Sequence, residues 1–297
     1  MLNSGYRAQL FNRDLREIIT VLREKRLVSL SEYLASSHNA EHPAARSGSG
    51  TPCLLASSPA LDNTHIEAVN ATSVERIALL TEPRGPAADR FRFLRMRLRE
   101  LAALVKLRTL VITSALPQDG KSTVALNLAT ALAERGVRRV LVIEADLHRP
   151  SLAVSLGITA SPGLAECIEA GLDPLSRIQR IEPLQCYLMQ AGQPTVNPSD
   201  LMHSPALHGV MEKLAPYFDW ILIDTPPVAP LSDALSLSQV ADASLLVVRA
   251  DRTPRESVEE AIALLGPNRL AGIVFNGAES LNRLYSKYSG YYHPKGE

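Results

Sequence analysis

"SALPQDGKST", Ser114 to Thr123, is the stretch on which the fold of this chain turns. It follows "RTLVIT", a β-branched apolar run, and precedes "VALNLATALAERG", an amphipathic helical pattern. Strand, loop and helix in that order, with Gly120, Lys121, Ser122 and Thr123 at the helix start, make the pattern of a phosphate-binding loop. Backbone N–H groups of such a loop, and of the helix N-terminus, point at phosphate oxygens. Lys121 is expected to reach the β- and γ-phosphates, and the Ser122 hydroxyl to ligate Mg²⁺. On this reading Pro117, Gln118, Asp119, Gly120, Lys121, Ser122 and Thr123 line a nucleotide. Two positions depart from the usual pattern. Ala115 stands at its first glycine, which requires a negative φ there, and Gln118 puts a side chain in mid-loop.

Outward from the loop, the chain alternates. Strands are expected at 108–113, 138–145, 186–190, 219–224, 243–249 and 271–276, with helical stretches between most of them. "VLVIEAD" and "WILIDT" are continuous apolar runs, as in strands buried on both faces of a parallel sheet. Alternating βα units of this kind imply an α/β fold with a doubly wound, mostly parallel sheet and right-handed crossovers. In such sheets the ligand lies at the carboxyl ends of the strands. Glu144 and Asp146 close one buried strand and Asp224 another. Glu144 and Asp146 are two apart, so on an extended chain they point the same way.

Upstream, residues 10–35 carry helical spacing in Leu15, Ile18, Ile19 and Leu22. The stretch from 36 to 65 is rich in Ser, Ala, Pro and Gly without periodicity, which is linker composition. The expected organisation is a helical segment at 1–36, a linker at 37–80, an α/β domain at 81–280 and a flexible tail at 281–297. A strong helix is expected at 88–106, with Phe91, Leu94, Leu98, Leu101 and Val105 in one apolar stripe beside a basic stripe of Arg92, Arg95 and Arg99.

Composition narrows the function. The chain has 297 residues with 31 basic and 31 acidic side chains, a formal net charge of zero that argues against a general nucleic-acid binder. The balance is uneven, since Arg84 to Arg108 holds seven Arg and one Lys against two acids. Cys53, Cys167 and Cys186 are too widely spaced for a metal site and fit reduced thiols. No apolar run approaches the roughly 20 residues of a membrane span, and the N-terminus lacks a signal-peptide core. A cytoplasmic protein is expected, with any membrane role supplied by a partner.

The phosphate loop, an apolar strand ending in acid-x-Asp and an apolar strand ending "DTPP" together resemble the bacterial tyrosine kinase family. These are cytoplasmic autokinases of capsule and exopolysaccharide synthesis, built on the fold of the Min and Par ATPases. The resemblance covers roughly residues 80–297. "NPSDLMHSPAL" is similar to the family's Asn-Pro segment. "GIVFN" resembles the strand whose terminal Asn, here Asn276, lies near the adenine. The helix "DRFRFLRMRL" resembles an oligomerisation motif, here Asp89, Arg92 and Arg95.

The resemblance implies ATP and Mg²⁺ as cofactors. Lys121 would bind phosphate, and Ser122, Asp146 and Asp224 would hold the metal, partly through water. The first acid of the acid-x-Asp pair, here Glu144 in place of the usual Asp, would accept the tyrosine proton. His148 stands where the family often has Arg. The resemblance also implies a homo-oligomeric ring, with a membrane-embedded polysaccharide co-polymerase as activator.

The C-terminus fits that expectation. "LYSKYSGYYHPKGE" holds Tyr285, Tyr288, Tyr291 and Tyr292, four of the chain's eight tyrosines, with almost no aliphatic neighbours. Such a segment buries too little to order itself. A flexible cluster of tyrosines suits a substrate for a tyrosine kinase, fed into a neighbouring subunit. Two alternatives stand beside this reading. A Min/Par-type partitioning ATPase would carry a lysine at the position of Leu116 and end in a basic membrane helix. A nucleotide-binding scaffold would bind ATP without phosphotransfer.

Overall fold

The computed structural model describes residues 67–229 and 232–278. The expected N-terminal helix at 1–36 and the tyrosine cluster beyond 281 lie outside the described residues. The strands are β1 (Glu67–Asn70), β2 (Thr109–Ser114), β3 (Val140–Glu144), β4 (Ile178–Glu182), β5 (Cys186–Met189), β6 (Trp220–Asp224), β7 (Ala243–Arg249) and β8 (Leu270–Asn276). The helices are α1 (Ala78–Thr81), α2 (Pro86–Leu104), α3 (Lys121–Ala133), α4 (Leu152–Leu156), α5 (Leu164–Glu169), α6 (Pro198–Met202), α7 (Pro205–Leu214), α8 (Asp233–Val240) and α9 (Arg255–Leu265).

The eight strands form one sheet in the order β1-β4-β5-β3-β6-β2-β7-β8. All neighbours run parallel except β4 and β5. All six strands expected from the sequence are present within two residues of the expected ends. Their continuous apolar runs are explained by cover on both faces. Leu110 and Ile112 of β2, Val140 and Val142 of β3 and Leu222 of β6 pack on α2 and α3. The intervening Val111, Leu141, Ile143, Ile221 and Ile223 pack on α5, α7 and α8. Period-two alternation sends neighbouring residues to opposite faces, and here both faces are core. Each fully buried Leu or Ile side chain contributes roughly 1.5–3 kcal/mol.

Helix α3 is buried at every position from Val124 to Ala133. Its alanines at 125, 129, 131 and 133 let it lie between the sheet and α2. Asn127 and Thr130 are its buried polar residues, and Thr130 Oγ1 donates to Leu126 O (2.8 Å) while Asn127 reaches beyond the helix. Its Oδ1 accepts from Ala78 N (2.8 Å) and its Nδ2 donates to Arg76 O (2.8 Å) and Thr123 O (2.9 Å). Helix α2 starts at Pro86 behind Gly85, two residues earlier than expected, because proline at the first helical position presets φ. Its apolar stripe faces inward as the periodicity predicts, with Leu98 buried and Phe91, Leu94, Leu101 and Val105 against the same core.

Two strands escape the sequence reading. β4 is "IQRIE", with only Ile178 and Ile181 buried, and it pairs antiparallel with β5 across a short turn. β1 lies inside the stretch expected as linker and pairs parallel with β4. From residue 67 onward, that stretch belongs to the folded body. Ala71 N donates to Glu182 O (2.7 Å), and Ile77 is 2% exposed. A four-residue edge strand offers too few positions for a period to show against linker composition.

Candidate active site

β2 lies between β6 and β7, so the loop after β2 opens at the carboxyl end of the sheet beside the acid that ends β6. Asp224 pairs in register with Ile112 of β2 on one side and Glu144 of β3 on the other. The "DTPP" segment is tied back to β2. Thr225 N donates to Ile112 O (3.1 Å), Val228 N to Ser114 O (2.9 Å) and Thr113 Oγ1 to Pro226 O (2.9 Å).

The loop itself is held in shape. Ala115 is buried and takes no positive φ, which is why alanine is accepted where the pattern has glycine. Gln118 adopts φ +66° and Gly120 φ +92°, so the mid-loop side chain is accommodated by a left-handed backbone. At Gly120 a Cβ would collide with the Asn276 amide. Asn276, at the end of β8, donates from Nδ2 to Asp119 O (2.9 Å). Its described partner is therefore the phosphate loop. Asp119 is buried, accepting from Leu116 N at Oδ2 (3.0 Å) and from Thr253 Oγ1 at Oδ1 (2.8 Å). Helix α3 begins at Lys121, so the N–H groups of Lys121, Ser122 and Thr123 have no intrahelical acceptor and face the crevice end of the helix dipole.

Lys121 gathers the expected acids. Its Nζ lies 2.9 Å from Asp146 Oδ2, 3.9 Å from Asp224 Oδ1 and 3.5 Å from Ser122 Oγ. Burial alone would lower its pKa. The Asp224 and Asp146 carboxylates, with the hydrogen bond to Asp146, outweigh burial and raise it. Asp224 is 1% exposed, and burial pushes its carboxyl up to about 6 against the opposing pull of Lys121 and a hydrogen bond from Ser122. Asp224 Oδ1 is buried without a hydrogen-bond partner. An orphaned carboxylate oxygen beside a hydroxyl and a second carboxylate suits a hard divalent cation such as Mg²⁺. Among the described residues no group of three or more His, Cys, Asp or Glu is placed to hold a metal ion by side chains alone.

Glu144 and Asp146 do not act as a pair here. Asp146 Oδ2 meets Lys121, and Oδ1 accepts from Arg149 N (3.1 Å). Glu144 is 2% exposed and is taken up by main chain. Its Oε1 accepts from Ser151 N (2.5 Å) and Leu152 N (2.6 Å), and its Oε2 from Ala191 N (3.2 Å). The extended chain ends at Glu144, so the period-two argument stops applying one residue later. Glu144 thus braces the start of α4 and the chain leaving β5, which shapes the turn that carries Asp146. We expect Glu144→Gln to cost about 2–3 kcal/mol, because its NH₂ meets a main-chain N–H. The pH profile of any phosphotransfer should not move. A shifted acid limb would return Glu144 to the proton-transfer role.

His148 bridges three segments. Its Nε2 lies 2.9 Å from Asp233 Oδ2 at the start of α8 and 3.3 Å from Ser199 Oγ on α6, inside the Asn-Pro segment. On α2, Arg92 bonds Asp89 (2.8 Å) and Pro83 O (2.6 Å), Arg95 bonds Ala131 O (3.2 Å), and Arg99 bonds Glu134 (2.6 Å). Between these arginines Phe93 and Met96 are exposed. Thr253 is the site neighbour that sequence reasoning missed. It lies in the turn after β7, 134 residues from Asp119, with no motif around it.

Comparison with known proteins agrees with this geometry. The ParA family model, described as NUBPL iron-transfer P-loop NTPase, matches residues 107–277. Tyrosine-protein kinase YwqD of Bacillus subtilis is 29% identical over 221 residues, covering 74% of this chain and 92% of that protein. Tyrosine-protein kinase CpsD of Streptococcus pneumoniae serotype 4 is 31% identical over 160 residues, 52% of this chain and 69% of that protein. The succinoglycan biosynthesis transport protein ExoP of Rhizobium meliloti is 29% identical over 246 residues, 75% of this chain but 31% of its own greater length. Among solved structures, the kinase domain of the Escherichia coli tyrosine kinase ETK aligns with a TM-score of 0.63 at 27% identity, covering 68% of this chain and 79% of that one. With its phosphate loop, its strand-end acids and tyrosine-kinase relatives over most of its length, the chain belongs to the bacterial tyrosine kinase family, CpsD/CapB-like, within the ParA/MinD superfamily of P-loop NTPases.

Proposed function

We propose that this chain is an ATP-dependent protein-tyrosine autokinase of capsule or exopolysaccharide synthesis, transferring phosphate to Tyr285, Tyr288, Tyr291 and Tyr292 of a neighbouring copy. The observation that carries it is the Lys121 ammonium set between Asp146 and Asp224 at the mouth of a pre-shaped phosphate loop. Residues 118–123 cradle the phosphates through main-chain N–H groups, with Pro117 shaping the loop ahead of them, and Lys121 turns from Asp146 toward the phosphates. Ser122, Asp146 and Asp224 would hold the metal. Mg²⁺, when bound, neutralises charge on the phosphate oxygens during a loose, in-line transfer. Three main-chain donors hold both oxygens of Glu144, whereas Asp146 Oδ2 is bonded to the Lys121 ammonium and is released when that lysine turns to the phosphates, so Asp146, in place of Glu144, would orient the hydroxyl or accept the phenolic proton, its share of the metal being through water.

Asp89, Arg92 and Arg95 contribute to a homo-oligomeric ring. The exposed Phe93 and Met96 among the arginines of α2 support that role. A membrane polysaccharide co-polymerase serves as activator and holds the kinase at the inner face of the membrane. Among the described residues no helix is long and apolar enough to cross a membrane, so the membrane contact is assigned to this partner. The relation to ExoP, a succinoglycan biosynthesis transport protein, supports the polysaccharide setting.

The test is incubation with ATP and Mg²⁺, with and without the cytoplasmic tail of a co-polymerase, read by phosphotyrosine blot and mass spectrometry. Phosphate is expected on the four C-terminal tyrosines. Changing all four to phenylalanine should remove most of the incorporated label, while ADP binding stays as in the wild type. ATP hydrolysis without phosphotyrosine under any condition would instead favour a partitioning-type ATPase.

A further inference from the structure

We infer that Thr253, in the turn between β7 and α9, is a positioning residue that pins the phosphate loop in its binding shape before nucleotide arrives. The inference rests on the reading of 114–123 as a nucleotide loop. Thr253 is 3% exposed and Asp119 is 4% exposed. The Thr253 hydroxyl donates to Asp119 Oδ1 (2.8 Å) and accepts from Arg249 N (3.0 Å), so its rotamer is set by the end of β7. The other Asp119 oxygen accepts from Leu116 N (3.0 Å), closing the loop on itself. Asn276 holds the Asp119 carbonyl (2.9 Å). Asp119 is thus gripped at both carboxylate oxygens and at its carbonyl, between two residues of positive φ, Gln118 and Gly120.

The physical consequence is specific. Successive N–H groups of a loop converge on an anion only in one backbone arrangement, and left-handed residues adopt it reluctantly when they are not glycine. Gln118 is such a residue. The grip on Asp119 offsets the cost of that conformation. Removing the Thr253 hydroxyl leaves a buried carboxylate oxygen without its donor and frees the loop to relax. Thr253 touches neither phosphate nor tyrosine in this scheme and acts through Asp119.

The test uses the full chain as wild type, Thr253→Val, Thr253→Ser and the double variant Thr253→Val with Asp119→Asn. Two quantities are measured. One is amide hydrogen exchange of the 115–121 peptide without nucleotide, and the other is Mg·ADP affinity by calorimetry. Thr253→Val should speed exchange in that peptide while β3 and β6 exchange as before, and should weaken ADP about tenfold. Thr253→Ser should restore both, because it returns the hydroxyl. In the double variant the neutral amide at position 119 should recover part of the loss.

Unchanged loop exchange in Thr253→Val, or loosening spread evenly through the sheet, overturns the proposal. So does a failure of Thr253→Ser to restore the wild-type values. The exchange readout needs no nucleotide and no phosphotransfer. A wild type that binds ADP yet labels no tyrosine would defeat the kinase reading and leave Thr253 standing.

Discussion

Lys121→Met is expected to reduce tyrosine phosphorylation by about 10³-fold or more, the scale seen when one preorganised charge at a reacting centre is removed. Its second effect separates it from an ordinary active-site change. The Lys121 ammonium is the cation set between Asp146 and Asp224, and removing it leaves two buried carboxylates without that partner. Breaking a buried pair in this way costs about 3–5 kcal/mol. The loss should depend on pH with a definite sign. Without the ammonium, nothing of that strength opposes the burial of Asp224, and its carboxyl holds a proton more tightly in the folded chain than in the unfolded one. The folded state therefore gains as pH falls. Urea unfolding at pH 5 and pH 8 reads this directly. An equal loss at both values would mean that the ammonium does not neutralise these acids.

Asp224→Asn should separate stability from activity. Burial raises the Asp224 carboxyl to about 6 in the folded chain, above its unfolded value. A raised acid contributes stability that is fully present below the unfolded pKa and is lost as pH rises through about 6. At pH 8, without nucleotide, wild type carries the cost of an ionised carboxylate whose Oδ1 has no hydrogen-bond partner. The asparagine variant does not. It should be at least as stable as wild type there, by an amount on the order of 1–3 kcal/mol, with the margin closing toward pH 4. Its Mg²⁺-dependent phosphotransfer should fall about 10²–10³-fold if the orphaned oxygen is the metal ligand we propose. A variant that keeps full activity, or is destabilised alike at pH 4 and pH 8, contradicts the assignment. Such a trade of stability for function is the usual cost of a preorganised site.

The location of the site followed from local pattern. A phosphate loop needs a strand before it, a helix after it and Gly-Lys-Ser at the junction, and residues 108–133 spell out all three. The strand-end acids Asp146 and Asp224 were legible because a continuous apolar run ending in a carboxylate marks a buried parallel strand reaching the crevice. The apolar stripe of α2 was legible because a helix of 19 residues repeats its 3.6-residue period about five times.

Tertiary structure decided the rest. β1 and β4 are short strands at or near the sheet edge, with few buried positions, so pairing and not periodicity makes them strands. Glu144 reads as a partner of Asp146, yet three main-chain donors from α4 and the chain after β5 take its carboxylate. Sequence spacing cannot foresee those donors, since one of them, Ala191, lies 47 residues away. Thr253 reaches Asp119 across 134 residues and Asn276 across 157, contacts that exist only because β2, β7 and β8 are neighbours in the sheet. By itself the sequence determined the chemistry, a lysine, a hydroxyl and two strand-end carboxylates at a phosphate loop, because those groups lie in or beside elements with strong local signals. Only the tertiary structure decided which carboxylate faces the lysine, which one braces the backbone and what holds the loop. Those choices depend on strand order and side-chain reach, and neither is encoded in any local window.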